Sequence, residues 1–192
     1  YQPPSLTENI TVIICHPHPL HQGTMHNKVV STIARAAHTL GFGSLRFNYR
    51  GVGDSDGEYG DMKGESDDAW AIWQWLKKQD PQTQLFCAGF SFGSYIAAVL
   101  ATQAPSKDLL CIAPPIARMP FDALEFTSHP GLLIQGDQDS VVDASESLQW
   151  GEQHQFTCHN AQGAGHFFHG HLIDLKEIIV RHWQNRLGSM HK

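Results

Sequence analysis

The sequence is short of charge, long apolar runs and cysteine. Only 17% of its 192 residues are Asp, Glu, Lys or Arg, and none of them forms a basic cluster. With 13 Lys+Arg against 19 Asp+Glu the net charge is −6, which argues against nucleic acid or an acidic membrane surface as a partner. The longest apolar run lies near Ile10–Cys15, far short of the ~20 residues of a membrane span. No charged segment leading into an apolar one opens the chain, so no secretory signal is expected. The four cysteines, Cys15, Cys87, Cys111 and Cys158, show no CxxC pair. Each falls in a β-prone stretch, where a free thiol acts as a small hydrophobe. Buried, reduced thiols and a cytoplasmic setting are therefore expected. Repeats, low-complexity tracts and linkers are also missing, so one domain over residues 1–192 is expected.

What is present is an alternation of strand-like and helix-like segments. Ile10–Cys15, Ser44–Asn48, Gln84–Phe90, Leu109–Ala113, Gly131–Gln135 and Gln155–Asn160 read as strands. Between them Val30, Ile33, Ala34 and Ala37 keep a helical stripe, as do Ala69, Ile72, Trp73 and Leu76, and Leu175, Ile178, Ile179 and His182. Tyr95–Ala104 is apolar nearly all round, as a buried helix should be. Strand–helix alternation implies right-handed crossovers and an α/β fold with a mostly parallel sheet of about six strands. In such sheets ligands bind beyond the carboxyl ends of the strands. Attention therefore goes to the loops His16–His26, Arg50–Gly64, Ser91–Ser94, Pro114–Thr127, Asp137–Asp143 and Gly163–His171.

Gly89-Phe90-Ser91-Phe92-Gly93 stands between a strand and a helix. A serine on so sharp a turn needs small residues two positions to either side, and glycine occupies both. Ser91 is the candidate nucleophile. A serine hydroxyl needs a neighbouring base, and His166, in Gly163-Ala164-Gly165-His166, can reach back over the sheet; His169 and His171 are its rivals. The imidazole in turn needs a carboxylate. Asp139 of Gly136-Asp137-Gln138-Asp139 is preferred, with Asp137 expected to hold the turn and Asp143 either a third choice or a helix N-cap. The resulting order is Ser…acid…His.

The order, the elbow, the G-x-x-D turn and the late G-H loop resemble the α/β-hydrolase superfamily. His16-Pro17-His18-Pro19 and the stretch Arg46–Ser55 narrow the resemblance to small lidless bacterial hydrolases related to dienelactone hydrolases. Those hydrolases proper use cysteine where this chain has Ser91, a departure from that specific activity. The resemblance implies a three-layer fold. Two strands that usually precede the first are expected to be absent or curtailed, because only nine residues precede Ile10. About 17 residues separate Ala113 from Gly131, room for one short helix near Asp122–Phe126 but for no lid domain.

The implied activity is that of a serine hydrolase on small or short-chain acyl esters. Thioester cleavage on the same residues is an alternative, and a non-catalytic binding protein of the same fold is another. Oxyanion donors would be the backbone N–H of Phe92 and, from the first loop, that of His18 or else Leu20, since prolines have none to offer. Leu20, Met119, Phe121 and Phe167 are candidates for the substrate pocket. No cofactor is implied, and a monomer or homodimer is expected. His16-x-His18-x-x-His21 lacks the converging ligands of a zinc site, so no metal is expected. Gly51-Val52-Gly53 misplaces the third glycine of a dinucleotide loop.

Overall fold

The computed structural model of the protein describes residues 1–5, 9–126 and 131–190. Six strands, β1 (Ile10–Cys15), β2 (Gly43–Arg46), β3 (Gln84–Phe90), β4 (Ser106–Ile112), β5 (Leu132–Gly136) and β6 (Thr157–Ala161), form one parallel sheet. Their order is β2-β1-β3-β4-β5-β6. The helices are α1 (Lys28–Thr39), α2 (Lys63–Gln79), α3 (Phe92–Gln103), α4 (Ala144–Gln153) and α5 (Leu172–Met190). Alternation along the strands assigns the faces. Ile10, Val12 and Ile14 pack with Val30 and Ile33 of α1 and with Ile179 and Trp183 of α5. Ile13 and Cys15 point the other way, toward Trp73 of α2, Ile96 of α3 and Trp150 of α4. With both faces covered, all six residues of β1 are buried, which is why that strand is apolar but for Thr11, whose hydroxyl accepts that of Thr83 at 3.0 Å. The three-layer α/β expectation holds.

Element boundaries moved where a side chain or a dihedral overrode local propensity. β2 stops at Arg46 rather than Asn48, because Asn48 Oδ1 accepts the Met25 N–H at 2.9 Å and draws the chain off the sheet. β4 ends at Ile112, since Ala113 turns at φ 48°. β6 begins at Thr157, because Gln155 sits at φ 63° just beyond α4. Two single 3-10 turns, Ile116–Arg118 and Phe121–Ala123, stand where one short helix was expected; Thr127 lies outside the described residues. Cys15, Cys87 and Cys111 are buried free thiols as expected, but Cys158 on the edge strand is only half-buried. Burial pushes the Cys15 thiol up to about 12, against a weaker pull from Tyr49, so it is inert at neutral pH.

His182 departs from the apolar stripe on which the sequence places it. Its Nε2 lies 3.2 Å from the buried Asp108, which also accepts the Trp183 indole N–H at 3.0 Å. That contact ties α5 to β4 and gives the buried carboxylate the donors it requires.

Candidate active site

The elbow is built by sterics. Ser91 sits between β3 and α3 at φ 53°, ψ −121°, a conformation that L-residues avoid unless their surroundings hold them there. The surroundings do so: its N–H donates to Ile112 O at 2.8 Å, and its C=O accepts the Ser94 N–H at 2.8 Å. A Cβ on Gly89 would stand 2.0 Å from Gly93 O, and one on Gly93 would stand 2.2 Å from Cys15 O. Both glycines therefore allow backbone segments to approach as closely as the turn requires.

Above the sheet the expected residues meet. Ser91 Oγ lies 3.2 Å from His166 Nε2, and His166 Nδ1 lies 2.8 Å from Asp139 Oδ2. The Asp139 side chain is wholly buried. Its Oδ1 accepts the N–H groups of Val141 and Val142 at 2.8 and 2.9 Å. Burial works to raise this carboxyl, but the hydrogen bond from His166, the two amides and the imidazole charge outweigh it and hold it below the ordinary carboxylate value. The imidazole is packed between Phe90 and Phe167, with ring centroids 5.1 and 5.0 Å away. Such a pair can pull a proton from Ser91 and hold the imidazolium that results.

The rivals have other partners. Asp143 caps α4, accepting the Glu146 N–H at 2.9 Å. Among the described residues Asp137 does not bond the amides of its own turn; it accepts the Gly163 N–H at 2.7 Å and so holds the histidine loop from the end of the neighbouring strand. His171 pairs with Asp174 at 3.5 Å, and His169 stacks on Phe167.

The loop after β1 is organised by a buried histidine. His16 Nδ1 donates to Pro17 O at 2.7 Å, and its Nε2 accepts the Tyr49 N–H at 3.2 Å. Only the neutral ring can do both, and burial pushes the imidazole down to about 4 despite the bond to Pro17. Both nitrogens are thus occupied, and no group of three potential metal ligands exists among the described residues. The consequence for stability has a definite sign. As pH falls through 6.5, the unfolded chain takes up a proton that the folded protein accepts only near pH 4. Stability is therefore full above 6.5 and falls across that window, by roughly 3 kcal/mol at its acid end. His18, His38 and His159 are lowered too, but they are partly exposed and contribute less. Urea midpoints measured between pH 7 and 4.5 are expected to drop in the wild type and distinctly less in His16→Gln. Parallel curves for the two proteins would contradict this account.

The amides expected to face an oxyanion behave differently from one another. Among the described residues the N–H groups of His18 and Phe92 have no acceptor, and the latter opens α3, where the helix dipole favours negative charge. The Leu20 N–H, the alternative donor, is taken by His18 Nδ1 at 3.2 Å. The His18 ring packs at a tilt against Phe92 and Tyr59, with centroids 4.7 and 5.2 Å away.

Ser91 opens into a cleft of about 830 Å³ that Met119 and Phe167 help to line, as expected. Two pocket expectations fail. Leu20 is 67% exposed and does not line the cleft; its turn is closed by His18 Nδ1, which accepts the Leu20 N–H. Phe121 is fully buried, edge-on to Tyr95 and Trp150 at 5.2 Å each, and belongs to the core. The sequence reading missed Tyr59, Met62 and Arg118, which also line the cleft. The first two lie in the Arg50–Gly64 loop, already marked by its place beyond β2. Asp61 and Met62 take φ values of 50° and 68° there, which no residue type announced. Also missed was Gln135, whose Nε2 lies 2.9 Å from Asp139 Oδ2; a lone amide in Leu132-Leu133-Ile134-Gln135-Gly136 was the available signal.

The chain is similar to known serine hydrolases. A family described as "Serine aminopeptidase, S33" matches residues 11–127, more than half of the chain. An α/β serine hydrolase homologue from Coxiella burnetii is 43% identical, with a TM-score of 0.89 over 94% of this chain and 88% of that one. An α/β serine hydrolase without a lid from Xanthomonas campestris is 40% identical, with a TM-score of 0.87 over 91% of this chain and 82% of that one. An uncharacterized protein of Rickettsia prowazekii is 40% identical over 139 residues, which is 70% of this chain; the chain spans 58% of that relative's length.

Proposed function

We propose, for a chain that belongs to the serine aminopeptidase S33 family and to the α/β serine hydrolases, that it cleaves small or short-chain carboxylic esters through an acyl-enzyme on Ser91. The observation that carries this reading is the relay Ser91 Oγ–His166 Nε2–Asp139 Oδ2, with contacts of 3.2 and 2.8 Å. Ser91 Oγ attacks the carbonyl carbon while its proton passes to His166 Nε2. Asp139 keeps Nδ1 protonated and stabilises the imidazolium. The oxyanion that forms is held by the N–H groups of Phe92 and His18. His166 then returns the proton to the leaving alkoxide, the C–O bond breaks, and an ester of Ser91 remains. Water, deprotonated by the same imidazole, releases the acid and restores the serine.

The reading calls for no cofactor. An open cleft without a lid favours small acyl groups, since little of a long chain would leave water on binding. The four free thiols fit a reducing compartment, and the cytoplasm is part of the proposal. No helix among the described residues is long and apolar enough to cross a membrane.

A fluorophosphonate probe tests the mechanism and a matched panel tests the substrate class. The probe is expected to attach to the peptide carrying Ser91, and attachment should vanish in His166→Ala. Acetyl and butyryl p-nitrophenyl esters are expected to turn over faster than longer acyl esters and than amino-acid p-nitroanilides. Faster anilide cleavage would make the protein a peptidase; absence of labelling would make it a binder.

A further inference from the structure

Gln135 is fully buried at the carboxyl end of β5, on the same face as Leu133. Its Nε2 reaches Asp139 Oδ2 at 2.9 Å and Gly136 O at 3.3 Å. Both partners are acceptors only, so the NH₂ end must face them and the amide has one permitted orientation. That orientation leaves Oε1 buried without a partner among the described residues. A methionine of similar volume would fill the space without an orphaned carbonyl. Packing therefore gives no reason for an amide at this position, whereas Asp139 does.

Around Asp139 four donors converge on one carboxylate. Oδ1 takes the N–H groups of Val141 and Val142, while Oδ2 takes both His166 Nδ1–H at 2.8 Å and the Gln135 amide at 2.9 Å. From this geometry we infer that Gln135 is a positioning residue of the proton relay, sharing Oδ2 with His166 and so limiting how tightly Asp139 holds the imidazolium. The inference rests on the serine-hydrolase function proposed above.

A donor that competes for Oδ2 lowers the charge that this oxygen presents to Nδ1. The imidazolium is therefore held less tightly than beside an unshared carboxylate, and it gives its proton to the leaving group more readily. Gln135 also fixes the plane of the carboxylate, because its second N–H is anchored on Gly136 O, which also accepts the Asp139 N–H at 3.3 Å. Of the other charged or titratable groups nearby, Asp61, His18 and His21 line the same cleft as His166 from the β1 and β2 loops, and two more lie on the segments packed here. Asp137 accepts the Gly163 N–H, and Arg118 donates to Val141 O at 3.0 Å.

Gln135→Met keeps the volume and removes the donor. The acid limb of kcat/KM against pH is expected to move upward by about half to one pH unit, and so is the limb of the fluorophosphonate labelling rate. Turnover should fall by roughly 3- to 30-fold with KM for a neutral ester little changed. Gln135→Leu, a second apolar replacement without a donor, should move the limb in the same direction. In proton NMR the His166 Nδ1–H resonance should shift downfield in both variants. A packing role alone would lower the melting temperature and leave the pH limb and this resonance in place. Limbs and resonances that superimpose on the wild type would overturn the inference, and either variant suffices if the other does not fold. The resonance is recorded without substrate. Thus turnover that survives loss of Ser91 would defeat the proposed function, while an unmoved resonance would defeat the role of Gln135 alone.

Discussion

Ester turnover by Ser91→Ala is expected to fall by about 10³-fold or more, with the fold retained. Alanine tolerates φ 53° about as poorly as serine does, and the two tethers that hold the elbow, Ser91 N–H to Ile112 O and Ser94 N–H to Ser91 O, are backbone bonds. The substitution therefore removes the nucleophile and little else. Members of such a relay act as a unit, so adding His166→Ala should cost little beyond the first loss. Residual activity is expected from the proposed oxyanion amides of His18 and Phe92. The measurement is steady-state hydrolysis of p-nitrophenyl acetate by variant protein purified free of host esterases. Wild-type rates in such a preparation would remove Ser91 from the chemistry.

Gly93→Ala sets two effects against each other. In the first turn of α3, alanine is favoured over glycine by about 0.8–1 kcal/mol. Sterics oppose it, since the new Cβ would stand 2.2 Å from Cys15 O and 2.6 Å from His16 O. Both atoms are backbone, and β1 cannot yield without breaking its pairing with β3 at Cys15 and Gly89. Sterics should win, with a loss of about 2–4 kcal/mol in stability by urea denaturation. Activity should suffer more than stability, because any retreat of His16 carries the His18 amide away from the elbow. A variant as stable and active as the wild type would mean that α3 and the β1 loop can separate freely.

The contrast between these residues and the ones missed explains how much was legible. Ser91, Gly89 and Gly93 are recognisable as a string because a strained turn imposes its requirements on immediate neighbours. His166 stands out from His169 and His171 because Gly163 and Gly165 give it a flexible approach, and Asp139 from Asp137 because the residue next to the strand is expected to bond local amides. Leu20 and Phe121 could not be placed in this way. Both are apolar residues in loops, and nothing in their spacing distinguishes a cleft wall from a core or from solvent. Leu20 stands exposed on a turn whose amide His18 Nδ1 accepts, and Phe121 packs inward against the ring edges of Tyr95 and Trp150. The end of β2 was misjudged for a similar reason, since Asn48 is claimed by Met25, 23 residues away.

Two kinds of information are thus separable in this protein. Residue order alone determined the alternating layers, the parallel sheet, the serine elbow and the order of the candidate nucleophile, acid and base, because periodicity and steric need act over a few neighbouring residues. Tertiary structure alone decided which walls the cleft has, that His16 serves the scaffold, and that Gln135 meets Asp139. Those outcomes depend on rotamers and on contacts closed when the strands came into register, a geometry that no local pattern encodes.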